Sequence, residues 1–177
     1  VAFSILGITL LVSMLDARLQ ARTSQLASSL AEANRELAQL ALHDTLTRLP
    51  NRVLLEDRLD QAINKARREG NFFALMFMDL DGFKTVNDAY GHDVGDKLLI
   101  AVSERLKQQL KGQYTLARMG GDEFVLLTEV NAPDEAATLA GSLVRVIDKP
   151  FNIDPYDMMV TLSVGIALYP HDGKNER

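Results

Sequence analysis

Hydrophobic patterning divides the chain of 177 residues into three regimes. Val1 to Leu15 runs without a charge. Asp16 to Leu42 contains no Gly or Pro, and Leu15, Leu19, Leu26, Leu30, Ala33, Leu37 and Leu40 recur at three-, four- and seven-residue steps, the stripe of a helix. Beyond residue 42 the apolar residues come in short runs divided by Gly, Asn and Asp. Those runs predict a helix over Val53–Glu69, a strand over Phe72–Met78 and a helical stretch over Gly82–Lys111. Strands follow over Tyr114–Arg118 and Glu123–Val130, then a helix over Pro133–Asp148 and a strand over Met158–Leu168.

From Phe72 on, this order is β-α-β-β-α-β, the ferredoxin-like arrangement of an α+β domain. In that arrangement the first and third strands pair antiparallel, so the end of one lies beside the start of the other. The first strand is almost wholly apolar and ends in Asp79-Leu80-Asp81-Gly82. The third follows Gly120-Gly121-Asp122-Glu123, where two glycines let the backbone turn sharply into a hairpin. Strand order alone therefore sets Asp79 beside Asp122 and Glu123. Unpaired buried charge is costly, and a hard cation such as Mg²⁺ is one partner that gathered carboxylates accept. The alternative is a solvated hairpin tip, since Gly and Asp are ordinary turn residues.

Between the two acidic sites, Val94-Gly95-Asp96 opens a helix whose inner side carries Leu98, Leu99, Val102 and Leu106. Asn87 and Asp96 have side chains able to read a purine edge. A carboxylate accepts from N1–H and the 2-amino group of guanine, and an amide offers a donor and an acceptor. Helix capping explains Asp96 as well. Lys84 suits a phosphate or a solvated surface, and His92 has no partner that marks it as a catalyst.

Four stretches together resemble the GGDEF family, the diguanylate cyclases of bacterial cyclic di-GMP signalling. They are Asp44-Thr45-Leu46-Thr47-Arg48-Leu49-Pro50-Asn51-Arg52; Asp79-Leu80-Asp81-Gly82-Phe83-Lys84 with Asn87-Asp88; Gly91-His92-Asp93-Val94-Gly95-Asp96; and Arg118-Met119-Gly120-Gly121-Asp122-Glu123-Phe124. They stand in the family's order and spacing, and the resemblance covers residues 43–177. It implies a fold like that of nucleotidyl cyclases and polymerase palms. It also implies condensation of two GTP molecules into cyclic di-GMP and two pyrophosphates by a pair of domains set face to face. By position, the resemblance makes Asp79 and Asp122 ligands of Mg²⁺, with Mn²⁺ as the alternative ion and the Leu80 carbonyl as a further ligand. Glu123 becomes another metal ligand or an aid in activating the 3′-hydroxyl. Asn87 and Asp96 read guanine, Gly120 and Gly121 let the hairpin approach ribose and phosphates, and Lys84 is a candidate substrate contact.

The chain departs from the family pattern in two places. Lys111-Gly112-Gln113-Tyr114 stands where product-inhibited members carry Arg-x-x-Asp, and Lys grips phosphate less well than Arg. The chain also ends at Arg177, before the helix whose Lys and Arg hold the triphosphate in the family, and it begins with Val. It reads as a fragment cut at both ends.

The uncharged residues 1–15 are too few to span a bilayer core of ~30 Å alone and read as the end of a transmembrane helix. Arg18 and Arg22 follow on the side expected to be cytoplasmic. That places the protein in the inner membrane with its catalytic domain in the cytoplasm. Residues 16–42 read as a coiled-coil signalling linker pairing two chains into a homodimer, with a stutter at 22-26-30 that locally unwinds the supercoil. The wording Val164 to Gly173 resembles that of hybrids carrying an attached EAL phosphodiesterase domain, in which this domain binds GTP and regulates its neighbour. A purely structural dimerisation unit is a third reading, and it leaves the acidic constellation unexplained.

Composition narrows these readings little. A net charge of −5 with no basic patch argues against a nucleic-acid partner. The absence of Cys excludes disulfides and thiolate metal sites.

Overall fold

The computed structural model describes residues 2–173, without the side chains of residues 2–13, 15 and 36. Its elements are α1 (Ala2–Leu42), α2 (Arg52–Glu69), β1 (Phe72–Asp81), α3 (Phe83–Tyr90), α4 (His92–Gln109), β2 (Tyr114–Gly120), β3 (Glu123–Val130), α5 (Pro133–Ile147), β4 (Phe151–Ile153), β5 (Tyr156–Met158) and β6 (Thr161–Tyr169). They divide into two units, Val1–Ala41 and Leu42–Arg177.

In the first unit, Leu19, Leu26, Leu30, Leu37 and Leu40 of α1 are each more than half exposed. Isolated leucines at the surface are ordinary, but a periodic row of them is a face for another apolar surface. The expected membrane segment, residues 1–15, falls almost wholly on side chains outside the described residues. Among the described residues, no helix is long and apolar enough to cross a membrane.

The second unit is built on an antiparallel sheet ordered β2-β3-β1-β6. This is the ferredoxin-like order expected from the sequence. Alternation along β1 sends Ala74, Met76, Met78 and Leu80 to one face. There they pack with Leu98, Leu99, Val102 and Leu106 of α4 and Ala140, Leu143 and Ile147 of α5. The opposite face buries Phe73, Val125, Leu127 and Ala117 against Leu55, Ile63 and Ala66 of α2. That cover does not reach the end of β1. Phe77 is 55% exposed and Asp79 and Asp81 are exposed, so the α2 side of the sheet is open where the acidic residues begin.

Three local expectations are corrected. The helical stretch Gly82–Lys111 is two helices, α3 and α4, broken at Gly91, whose φ of 86° an L side chain rarely adopts. Helix α4 consequently opens at His92 rather than at Val94. The last strand begins at Thr161, because Met158 belongs to a separate hairpin of β4 and β5. Arg105 of α4 holds that hairpin's root, lying 3.4 Å over the Phe151 ring while its guanidinium donates to the Lys149 and Pro150 carbonyls.

Candidate active site

The β1–β3 ladder runs from Phe72↔Val130 to Asp79↔Glu123. Directly opposed residues share a face, so Asp79 and Glu123 stand side by side at the uncovered end of the sheet. Asp122 is half buried in the turn just before Glu123. Gly120 ends β2 opposite Glu123 at φ 139°, so the tip is Gly121-Asp122 rather than Gly120-Gly121, with Gly121 at φ 54° and a register shift in β2 between Arg118 and Gly120. A side chain at either glycine would meet no neighbour but would strain the backbone.

Burial raises the Asp79 carboxyl above its ordinary value, and the charges of Asp122, Asp81 and Glu123 push it further the same way. Among the described residues no donor reaches Asp79 to offset this. Both oxygens of its neighbour Asp81 accept a bond from β6. Thr161 Oγ1 donates to one of its carboxylate oxygens at 2.7 Å and Ser163 Oγ to the other at 2.8 Å, which lowers its pKa.

Asp79 and Glu123 line a cleft of about 550 Å³ together with Arg52, Phe77, Met119 and Ser163. A larger cleft of about 750 Å³, lined by His43, Leu54, Phe73, Tyr114 and Leu127 among others, holds none of the predicted site residues. The chemistry follows the carboxylates, and the smaller cleft is the candidate site.

The carboxylates fit a divalent cation as partial ligands. Like charges opposed across a ladder repel, and a cation between them removes that repulsion. Among the described residues no three His, Asp or Glu side chains gather closely enough to hold an ion by themselves. An ion bound there would need further ligands, such as substrate phosphates and waters. The Leu80 side chain is alkyl and buried in the core, and the backbone carbonyl is the group of that residue with a lone pair to offer.

The two candidate guanine readers are set by α3 and α4. Gly95 is buried under Asn87, and a Cβ built there would lie 2.0 Å from Asn87 Oδ1. That oxygen is buried with no hydrogen-bond partner among the described residues. Asp96 is exposed on the next residue of α4, and Lys84 is exposed in the first turn of α3. None of these three lines the cleft that holds Asp79 and Glu123.

Residues 41–177 match the family described as diguanylate cyclase, GGDEF domain. The chain belongs to the GGDEF family. It is 59% identical over 174 residues to the bifunctional diguanylate cyclase/cyclic di-GMP phosphodiesterase MucR of Pseudomonas aeruginosa, covering 98% of this chain and 25% of that protein. Among solved structures it is similar to the GGDEF domain of TpbB from Pseudomonas aeruginosa, with a TM-score of 0.71 at 36% identity over 75% of this chain and 79% of that one. It is also similar to the coiled coil and GGDEF domain of DgcB from Caulobacter crescentus in complex with c-di-GMP, with a TM-score of 0.78 at 28% identity over 87% and 82%. The chain thus spans about a quarter of the length of MucR.

The GGDEF hairpin is held by residues whose part the sequence did not disclose. Arg118 Nη1 donates to both carboxylate oxygens of Asp44 at 3.0 Å, while its Nε and Nη2 donate to the Gly121 carbonyl at 3.0 and 2.7 Å. Asp44 also accepts from the Thr47 amide at 2.7 Å and the Thr47 hydroxyl at 2.6 Å. Burial alone would raise the Asp44 carboxyl, but the Thr47 bonds and the Arg118 guanidinium outweigh it and hold the pKa below its ordinary value. The Asp-x-x-Thr spacing is a local signal for such a turn. Its tie to Arg118, 74 residues on, has none.

Proposed function

We propose that the Leu42–Arg177 unit is a diguanylate cyclase domain that condenses two GTP molecules into cyclic di-GMP with release of two pyrophosphates. The observation that carries this reading is the Asp79↔Glu123 register beside the Gly121-Asp122 tip. In each half-reaction the 3′-oxygen of one GTP bonds to the α-phosphorus of the other, and the bond to pyrophosphate breaks. A cation bound at Asp79 and Asp122, Mg²⁺ or Mn²⁺, would supply charge neutralisation on the triphosphate. Glu123 adds negative charge beside the 3′-hydroxyl and favours loss of its proton. Asn87 and Asp96 hold guanine, and Lys84 meets phosphate. Positioning and charge neutralisation are what phosphoryl transfer chiefly asks of a protein. Asp79→Asn and Glu123→Gln are each expected to lower turnover of GTP with Mg²⁺ at least ~100-fold while the melting temperature does not fall. Near-parental turnover in both would overturn the metal site.

One domain holds half of the substrate pair, so a homodimer is part of this reading. The exposed leucine row of α1 and the similarity to a coiled-coil GGDEF structure support parallel pairing through residues 16–42. Inserting four residues after Leu30 is expected to change activity, and inserting seven to change it far less, because only seven restores the register of the stripe. Equal activity of both, measured with sedimentation, would reduce the helix to a tether.

The uncharged Val1–Leu15 supports an inner-membrane protein with this domain in the cytoplasm. A second reading has the domain bind GTP and regulate an attached EAL phosphodiesterase domain, and the bifunctional relative favours such a neighbour. Product formation by the parent, lost in Asp79→Asn, separates the enzyme from the regulatory module.

A further inference from the structure

Asp79 and Asp81 point to the same face of β1, two residues apart. In the β1–β6 ladder Ser163 is the direct partner of Asp79, and Thr161 is the partner of Asp81. The Ser163 hydroxyl nevertheless does not serve the residue it faces. It donates diagonally to Asp81, 2.8 Å away, while Thr161 occupies the other Asp81 oxygen at 2.7 Å. A hydroxyl has one proton to give. Given to Asp81, it is withheld from Asp79, whose carboxylate then has no protein donor among the described residues.

We propose that Asp81 is a positioning residue that draws the Ser163 hydroxyl away from Asp79 and so keeps the Asp79 carboxylate free to ligate a divalent cation. A carboxylate oxygen that accepts a hydrogen bond has less electron density for a metal, and it is held where the bond puts it. Asp81 itself, with both oxygens engaged by β6, is a poor ligand. The two aspartates of Asp79-Leu80-Asp81 thus divide the work, one binding and the other clearing its neighbour. The inference rests on the reading of Asp79 as a metal ligand.

The test measures Mn²⁺ binding to the whole chain by electron paramagnetic resonance of the free ion, without nucleotide, with circular dichroism to confirm folding. Asp79→Asn defines the binding that belongs to the site. Asp81→Ala should weaken that binding about tenfold, the scale of one hydrogen bond to a charged group. Adding Ser163→Ala should restore it to within about threefold of the parent, and Ser163→Ala alone should leave it unchanged. Asp81→Asn combined with Thr161→Val leaves the single amide oxygen to Ser163 and should bind within about threefold of the parent, which keeps the question open to measurement if the alanine variant does not fold. Parental affinity in Asp81→Ala, no recovery on adding Ser163→Ala, a loss in Ser163→Ala alone, or an asparagine–valine variant as weak as alanine each overturns the inference. Parental affinity in Asp79→Asn overturns the metal reading instead.

Discussion

Asp44 and Asp79 show how differently one fold treats the same side chain. Asp44 lies in the turn before α2, where Thr47 and Arg118 fill its acceptor sites and depress its pKa. Asp79 lies at the open end of β1, with no donor among the described residues, and partial burial together with its acidic neighbours raises its pKa. The first carboxylate is satisfied by the protein and stabilises it. The second opposes its neighbours until something outside the chain arrives. Perturbed carboxylates of the second kind mark sites, and those of the first kind mark scaffold.

The sharpest way to break this contrast is through Arg118. Its side chain is 10% exposed and that of Asp44 18%, so removing the guanidinium strands a largely buried carboxylate. Arg118→Ala is expected to cost about 2–3 kcal/mol in urea unfolding and to lower turnover as the Gly121 carbonyl loses its anchor. A variant as stable as the parent would show that the pair is decoration.

Next in size is the effect of acid. The Asp44 pKa is depressed below 3.8 on folding, so its contribution is present above the ordinary carboxylate range and is lost as pH falls through the folded value. The gap in melting temperature between parent and Asp44→Asn should therefore be wide at neutral pH and narrow as pH falls through the folded value, below the ordinary carboxylate range. A gap independent of pH would remove charge from the account.

The smallest effect belongs to Asp79. Its raised pKa means that the charged form is disfavoured in the fold, so stability falls as pH rises through the ordinary carboxylate range. Asp79→Asn should match or slightly exceed the parent in melting temperature at neutral pH without divalent ions, and the difference should close when Mg²⁺ is added to the parent. Clear destabilisation would place Asp79 with the scaffold.

Much of this was legible in sequence because it follows from apolar runs and their order. The apolar run Phe72–Met78 and the β-α-β-β-α-β order indicate which strands pair, and the pairing delivers Asp79 to Glu123. Contacts between distant polar side chains were not legible. Asp44 meets Arg118 across 74 residues, and Asp81 meets Thr161 and Ser163 across 80 and 82, with no periodicity to announce either. The β4–β5 hairpin escaped because strands of three residues carry too little alternation to register.

Gly95 carries a last consequence, for anyone who would engineer this domain. It sits inside α4, where alanine is normally the better helix former by about 1 kcal/mol. A library sorted for thermal tolerance alone would therefore be drawn toward alanine there, and the added methyl would collide with the Asn87 amide. Because that amide ends a side chain that can swing aside, the collision would chiefly displace the group proposed above to read the base. Pairing the methyl with a shortened residue 87 would instead leave a vacancy of altered shape, a bump matched to a hole, through which the choice of nucleobase could be rewritten.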